Sequence, residues 1–581
     1  MHPSNKKPCW LPSSFSSVPG NFCIFHEPKR RATKLSLQFW QSLETYVRTC
    51  GNSIDMSGFS FPALPSTRRI EIDISRRSSL CFDASEFWVT RWPFRGNCDA
   101  ASFADCTFNT EIKFSDDFSP DEWNFHGSVF EKSVQLQAFG KKLSCTNTKF
   151  SGSLLLRSVR KSQEQTTLDF SGARFEAPGE SVDIEVAGGP ITILFSPEAV
   201  NSPVQFLGNL DNSKLVLNCT FNGTVRIGAK LGKSRIESKG CTFRSEVHVI
   251  NSGDDRAHHL DFSECTFSRL TRFHIKTRWM SIANSLFQDH QTTFSGGCDR
   301  FLAMDAKFCS KVSYRGFQFG EFWFTNAEFV GEAIFKDAQF LVDGAFDECT
   351  FLDSADFSTR EKDDRTGAVS FQGAIFHGDV DFKTRTFTTT TDFTRVTFYK
   401  APKFFDCRIH RDTEFPPPKN FKDRSGPQAA ARYRHLRLSM EEIRHRRTEG
   451  WFFELEQRCI RFDEQASRSE KFVSLAYGFL SRYGQSFVRP IAGVGVTLIA
   501  SMVIYILASP DVRLIWMAAI DWGQIKNAAT YAGGQLFAPF FVWRDNEFGL
   551  VLKLLGSLIS LIHAMLIGMF LVALRWHIRR G

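Results

Sequence analysis

Phenylalanine recurs in this chain at intervals of five and six residues. From Phe319 the series runs Phe324, Phe329, Phe335, Phe340, Phe346, Phe351 and Phe357. After a charged insertion at 358–370 it resumes at Phe371, Phe376, Phe382, Phe387, Phe393, Phe398 and Phe404. A helix needs apolar residues every 3.6 positions and a strand every 2, so neither element alone explains the spacing. A fixed short period requires repeated coils. The 61 Phe, against 8 Tyr and 12 Trp, are the compositional trace of that unit.

The residue two before each Phe is usually small: Ala327, Ala333, Ala338, Gly344, Cys349, Ala355, Ala374 and Thr391. Residues two apart on an extended chain share a face, so the small residue and its Phe point inward together. Burying one Phe removes about 150–250 Å² from water, which contributes about 4–6 kcal/mol before entropy. Cys106, Cys219, Cys241, Cys265 and Cys349 all stand in Cys-Thr-Phe triplets. That position reads as a small inward hydrophobe, neither a catalytic thiol nor half of a disulfide.

The clearest segments are AEFVGEAIFKDAQF and VSFQGAIFHGDVDF, with FDASEF and ASFADCTF nearer the start. These resemble the pentapeptide-repeat family, and FCIFHEP (22–28) resembles the start of its membrane-associated bacterial members. The resemblance implies a right-handed β-helix of quadrilateral coils. It is strong over 319–415, recognisable at 82–130 and 243–308, and ragged over 131–235. An alternation of 5 and 6, where the family steps by 5, implies a coil wider or less regular than the family's square.

Residues 34–50 form an amphipathic helical pattern with Leu35, Phe39, Leu43 and Val47 on one stripe, and 1–80 reads as an N-terminal cap. Phe415-Pro416-Pro417-Pro418 ends the solenoid expected over 81–420, since Pro cannot donate to a ladder. Helical patterns follow at 428–446 and 448–463, the second opened by Thr448 as N-cap. They form a hairpin and juxtamembrane region over 421–488, in which Glu441, Glu442, Arg444 and Arg446 read as a solvated face. The segment resembles the hairpin that membrane-associated family members place before their membrane helices.

A membrane domain is expected over 489–581. Residues 490–508 and 554–574 are each uncharged and long enough to span a bilayer. Arg482 and Arg489 precede the first span and Arg575, Arg579 and Arg580 follow the second, while the connection has no basic excess. That distribution places both termini and the solenoid in the cytoplasm of a multi-pass inner-membrane protein. Small residues recur at four-residue spacing, Gly493, Thr497 and Ser501 in one span and Gly556, Ser560, Ala564 and Gly568 in the other, a pattern for close helix packing within or between subunits. His563 is the one titratable group deep in the second span. Between the spans, 523–543 reads either as a re-entrant pore helix or as an interfacial loop.

The fold class is therefore mainly β: a pentapeptide-repeat-like β-helix with a helical cap, a C-terminal helical hairpin and two transmembrane helices. The net charge of +8 is concentrated at the ends, leaving 81–420 slightly acidic, so nucleic acid is not an expected partner. No GxGxxG, P-loop, HExxH or GxSxG motif is present. Cys9, Cys23 and His26 fall short of a four-ligand set, and no catalytic residue, metal or cofactor is expected. With 15 cysteines, no CxxC and no signal-peptide pattern, the bulk of the chain is assigned to a reducing cytosol. The expected partners are membrane lipid, a cytosolic protein and further copies of the chain through the transmembrane helices. The expected function is a non-enzymatic membrane-anchored scaffold, the alternative an oligomeric pore gated by the solenoid.

Overall fold

A computed structural model describes residues 24–26, 36–65, 69–75, 77–137, 140–157, 165–360, 365–462, 466–508, 522–537 and 550–578. It divides into two units, Met1–Gly378 and Asp379–Gly581. The fold is mainly β, a parallel β-solenoid of about 15 turns with helices at its ends.

The five-six rhythm has a direct backbone cause. Each five-residue step, such as Phe324 to Phe329 or Phe335 to Phe340, encloses a tight turn whose left-handed residue lies three before the second Phe. Asn326 (φ 60°), Asp337 (φ 57°) and Glu348 (φ 57°) hold those places. Asn, Asp and Gly recur there because they tolerate that region best. Each six-residue step, such as Phe329 to Phe335, rounds an open corner with one more residue. Two steps of each kind complete a coil, so Phe329 pairs with Phe351. Along this ladder the repeat varies between Phe130↔Phe150 and Phe61↔Phe87.

Parallel pairing in register brings identical positions one strand spacing apart, about 4.8 Å. The Phe rings therefore stack into a continuous column. Phe87 lies 4.6 Å from Phe61 and 4.5 Å from Phe108, and the column runs on to Phe351 and Phe376 at 4.7 Å. At one coil Val200 replaces the ring. There Phe195 enters from the adjoining side and stacks between Phe175 (5.6 Å) and Phe221 (5.8 Å).

The ragged stretch belongs to the same ladder. Val182–Val186, Ile191–Phe195, Val204–Asn209 and Val225–Lys230 are longer strands with alternating burial. Their inward residues are mostly Val, Ile and Leu, which fill flat sides at period 2 instead of marking corners at 5 and 6.

The triplet cysteines do more than fill space. Cys106 Sγ donates to Phe82 O (2.9 Å) and Cys349 Sγ to Phe324 O (2.8 Å), each one coil back. At the same place in other coils Thr148 Oγ1 donates to Phe125 O and Ser285 Oγ to Phe262 O, both at 2.7 Å. None of the described cysteines forms a disulfide. Burial pushes the Cys106 and Cys349 thiols above their usual range.

Helix α1 (Ser36–Thr49) buries Phe39, Trp40, Leu43, Tyr46 and Val47. Phe39 meets Phe61 edge-on at 5.6 Å, Phe25 stacks on Phe59 at 4.6 Å, and Tyr46 Oη donates to Asp55 O (2.8 Å). The first apolar coil is thus covered. The ladder starts at Ser53–Asp55, paired with Ser79–Cys81, inside the range expected as cap. His26 is buried edge-on to Phe59; Leu35, Cys9 and Cys23 lie outside the described residues. On the outer face, cations pair with carboxylates one coil along, as in Lys307–Glu328 (2.7 Å) and Lys311–Glu332 (2.8 Å). His259 lies in a strand and stacks on Trp279 at 3.9 Å.

In the second unit the same rhythm continues. Phe382 stacks on Phe404 (4.7 Å), Phe393 on Phe415 (5.3 Å) and Phe398 on Phe421 (5.2 Å). The thirteen Phe of the series from Phe324 through Phe398 are each at most 5 % exposed.

Candidate functional site

Six helices follow the last coil: α2 (Gly426–Glu442), α3 (Arg446–Arg461), α4 (Arg468–Ser481), α5 (Val488–Ala508), α6 (Trp522–Phe537) and α7 (Leu550–Ile578). Among them, two places carry buried polar chemistry.

The first is the hairpin. Tyr433, Leu436 and Met440 of α2 and Phe452, Leu455 and Cys459 of α3 form its apolar core. Phe452 meets Phe415 (5.3 Å) and Phe421 (5.5 Å) edge-on, so the hairpin closes the ladder's end. The expected Thr448 N-cap is corrected: α3 begins at Arg446, and Thr448 is buried inside its first turn. Arg444, with φ 60°, reverses the chain earlier than the pattern implied.

Glu449, Glu454 and Glu456 of α3 are buried. Glu456 accepts from Arg434 (2.8 Å) and Arg437 (2.9 Å) of α2, and Glu449 from Arg446 (2.9 Å). Glu454 accepts from Arg458 and, at 2.9 Å, from Arg482 beyond α4. Arg482, Tyr483 and Gly484 are consecutive left-handed residues (φ 53°, 55° and 79°). Such conformations cost about 1–3 kcal/mol per non-Gly residue and persist only when neighbours impose them. Here Glu454 holds Arg482, while Arg461 and Ser474 hydrogen-bond the Tyr483 hydroxyl. This elbow leads directly into α5. By contrast, Glu441, Glu442 and Arg444 are exposed, and Arg446 serves Glu449.

The second place is the groove between α5, α6 and α7. At 1.5 Å per residue, α5 and α7 reach or exceed the roughly 30 Å of a hydrocarbon core, and α6 at about 24 Å does not. Helix α6 occupies the segment read as re-entrant helix or loop; residues 538–543 lie outside the described residues. It buries Ala528, Tyr531, Ala532 and Gln535. Ser501 Oγ and Gln535 Oε1 hydrogen-bond at 2.6 Å, and Tyr505 and Tyr531 have ring centroids 5.0 Å apart.

On α5 a Cβ at Gly493 would stand 3.2 Å from Leu566 Cδ2, so the glycine permits close approach to α7. Thr497 Oγ1 bonds back to Gly493 O (3.0 Å). On α7, Gly556, Ser560 and His563 are buried, whereas Ala564 and Gly568 are exposed. A four-residue stripe drifts about 40° per step around a helix of 3.6 residues per turn, so its later members leave the packed face. His563 is fully buried beside the Gln535 backbone. The Gln535 side chain also meets the Tyr531 hydroxyl, and Ser560 Oγ makes no hydrogen bond among the described residues. Gln535 was not singled out in the sequence; its signal was one polar amide inside the run GGQLF.

No group of three or more His, Cys, Asp or Glu among the described residues is placed to hold a metal ion. No family model, curated protein or solved structure matches the chain.

Proposed function

We propose that the chain is a membrane-anchored scaffold: the solenoid presents a cytosolic surface to a protein partner, and α5 and α7 fix it in the inner membrane. The observation that carries the reading is the exposure of those helices. Their most apolar windows are only 11 % and 22 % buried, whereas a core helix of a soluble protein is mostly enclosed. Helix α4 supports the same reading. Phe472, Val473, Leu475 and Phe479 are all more than half exposed and sit beside Arg468 and Lys471, as on an interfacial helix. The basic residues flanking the spans favour a cytosolic solenoid, and the coil rhythm favours kinship with pentapeptide-repeat proteins. Carbonate extraction of membranes carrying the full chain, with protease protection of the solenoid, tests the anchor and its side. Release into the supernatant refutes it.

A second reading, an oligomeric pore, is favoured by α6, a short helix packed between two spans. Ion flux from liposomes containing the full chain, lost in Gly556→Leu, supports a pore; absence of flux leaves the anchor.

A further inference from the structure

We infer that the elbow between α4 and α5 binds an anionic phospholipid, its phosphate held by Arg461 and Arg489 and its acyl chains against Phe479, Val488 and Ile491.

Three buried carboxylates already serve five arginines here. Arg434 and Arg437 share Glu456, Arg446 takes Glu449, and Arg458 and Arg482 share Glu454. Arg461 and Arg489 pair with no carboxylate among the described residues, and both reach Gly478 on α4. Arg489 Nη1 lies 3.4 Å from the carbonyl oxygens of Gly478 and Phe479. Arg461 Nη2 lies 3.3 Å from Ser474 O and donates to the Tyr483 hydroxyl. A Cβ at Gly478 would stand 2.6 Å from that same nitrogen, so the missing side chain makes room for the guanidinium. Behind them the field is also positive. Burial holds the Arg458 guanidinium below its usual range; Glu454 opposes the shift, and the nearby Arg424 and Arg482 add to it.

The elbow therefore carries more positive charge than its carboxylates balance, and its apolar surroundings select the class of anion. Phe479 follows Gly478 and Val488 precedes Arg489; both are more than half exposed, and Ile491 is half exposed. Free phosphate or an acidic peptide would leave those side chains bare. A phospholipid brings both parts: two phosphate oxygens that match the planar fork of a guanidinium, and chains that cover Phe479, Val488 and Ile491. Helix α5 begins at Val488, so the two arginines stand where a span would leave the headgroup layer, the depth at which basic residues meet anionic lipid.

The inference rests on the membrane reading. Native mass spectrometry of the full chain, released from mixed micelles holding equal phosphatidylglycerol and phosphatidylcholine, reads which lipid stays bound. Phosphatidylglycerol should be retained about tenfold more often, and Arg489→Gln and Arg461→Gln should each lower that preference about fivefold. Arg461→Lys, which keeps the charge, should retain most of it. Arg468→Gln, which removes an exposed charge at the other end of α4, should leave it unchanged. Circular dichroism checks the helical signal of every variant, and Arg489, exposed on α5, carries the test where Arg461→Gln does not fold. Equal retention of the two lipids, an unchanged preference in Arg489→Gln, or an equal loss in Arg468→Gln overturns the site. Displacement of the lipid by excess inorganic phosphate overturns phospholipid as its occupant. A chain retained by carbonate-washed membranes but without lipid preference refutes the site alone; a chain released by carbonate refutes the membrane reading.

Discussion

Glu454 on the hairpin accepts a hydrogen bond from Arg482 at 2.9 Å, across the elbow that leads into α5. Glu454 is fully buried and also accepts from Arg458. One carboxylate thereby ties α3 to a left-handed linker that would otherwise relax. Motion of the hairpin and direction of α5 are mechanically joined at this point.

Replacing Glu454 with Gln should leave two guanidinium groups facing an amide. Removing one member of a buried charge pair costs about 3–5 kcal/mol, so the melting temperature should fall by several degrees and protease cutting near Arg482 should accelerate. Arg482→Lys should recover only part of the loss, because a point charge replaces a planar donor. A melt of Glu454→Gln that overlays the wild type would show that the elbow holds itself.

At the solenoid corners, the left-handed residues should tolerate glycine and reject β-branched side chains. Asn326 has φ 60° and its Nδ2 donates to Asp305 Oδ1 (2.6 Å) one coil back. Asn326→Ile should cost about 2 kcal/mol or more, from left-handed strain and the lost bond together. Asn326→Gly should cost about 1 kcal/mol or less. Chemical denaturation of the two variants gives the comparison, and equal losses would remove backbone strain as the cause.

Acid should loosen the docking of α2. Partial burial acts to raise the Asp379 pKa, but the hydrogen bond and charge of Arg432 (2.7 Å) outweigh it, with Lys403 and Lys400 adding, and the carboxyl ends below its ordinary 3.8. A carboxyl lowered in the folded state contributes stability that is complete above the unfolded value and disappears as pH falls through the folded one. Amide exchange of 426–442 should therefore accelerate below about pH 4, and Asp379→Asn should exchange faster at neutral pH with that part of the acid dependence removed. An unchanged acid profile in Asp379→Asn assigns the effect to another group.

The exposed face of α4 should contact lipid. Phe479, at 76 % exposure, replaced by a photoreactive benzoylphenylalanine in nanodiscs, should yield lipid adducts by mass spectrometry. The same probe at Leu438, exposed on α2, should yield few. Equal adducts at both positions would leave α4 without an interfacial role.

Each part of the molecule was legible to a different depth. The Phe rhythm specified coils because one side chain per corner must face inward whichever coil it belongs to. In 131–235 that rhythm vanished although the ladder did not: Val182, Ile184 and Val186 alternate along a flat side, and a period of 2 over five residues is shared by any strand. The cysteine triplets were readable as inward positions, but their bonds to carbonyls one coil back connect residues more than twenty apart. Small residues at four-residue spacing named Gly556 and Ser560 on the buried face and also Ala564 and Gly568, which the helical drift turns outward.

Local periodicity by itself determined the solenoid, its inward residues and the two apolar helices, since burial repeats wherever the chain repeats. Only the tertiary structure decided which arginine meets which buried glutamate and that Gln535 faces Ser501 and His563. Those contacts join separate elements, and the energy that selects them, the cost of an unpaired polar group away from water, is set by the partner and not by the residues beside it in the chain.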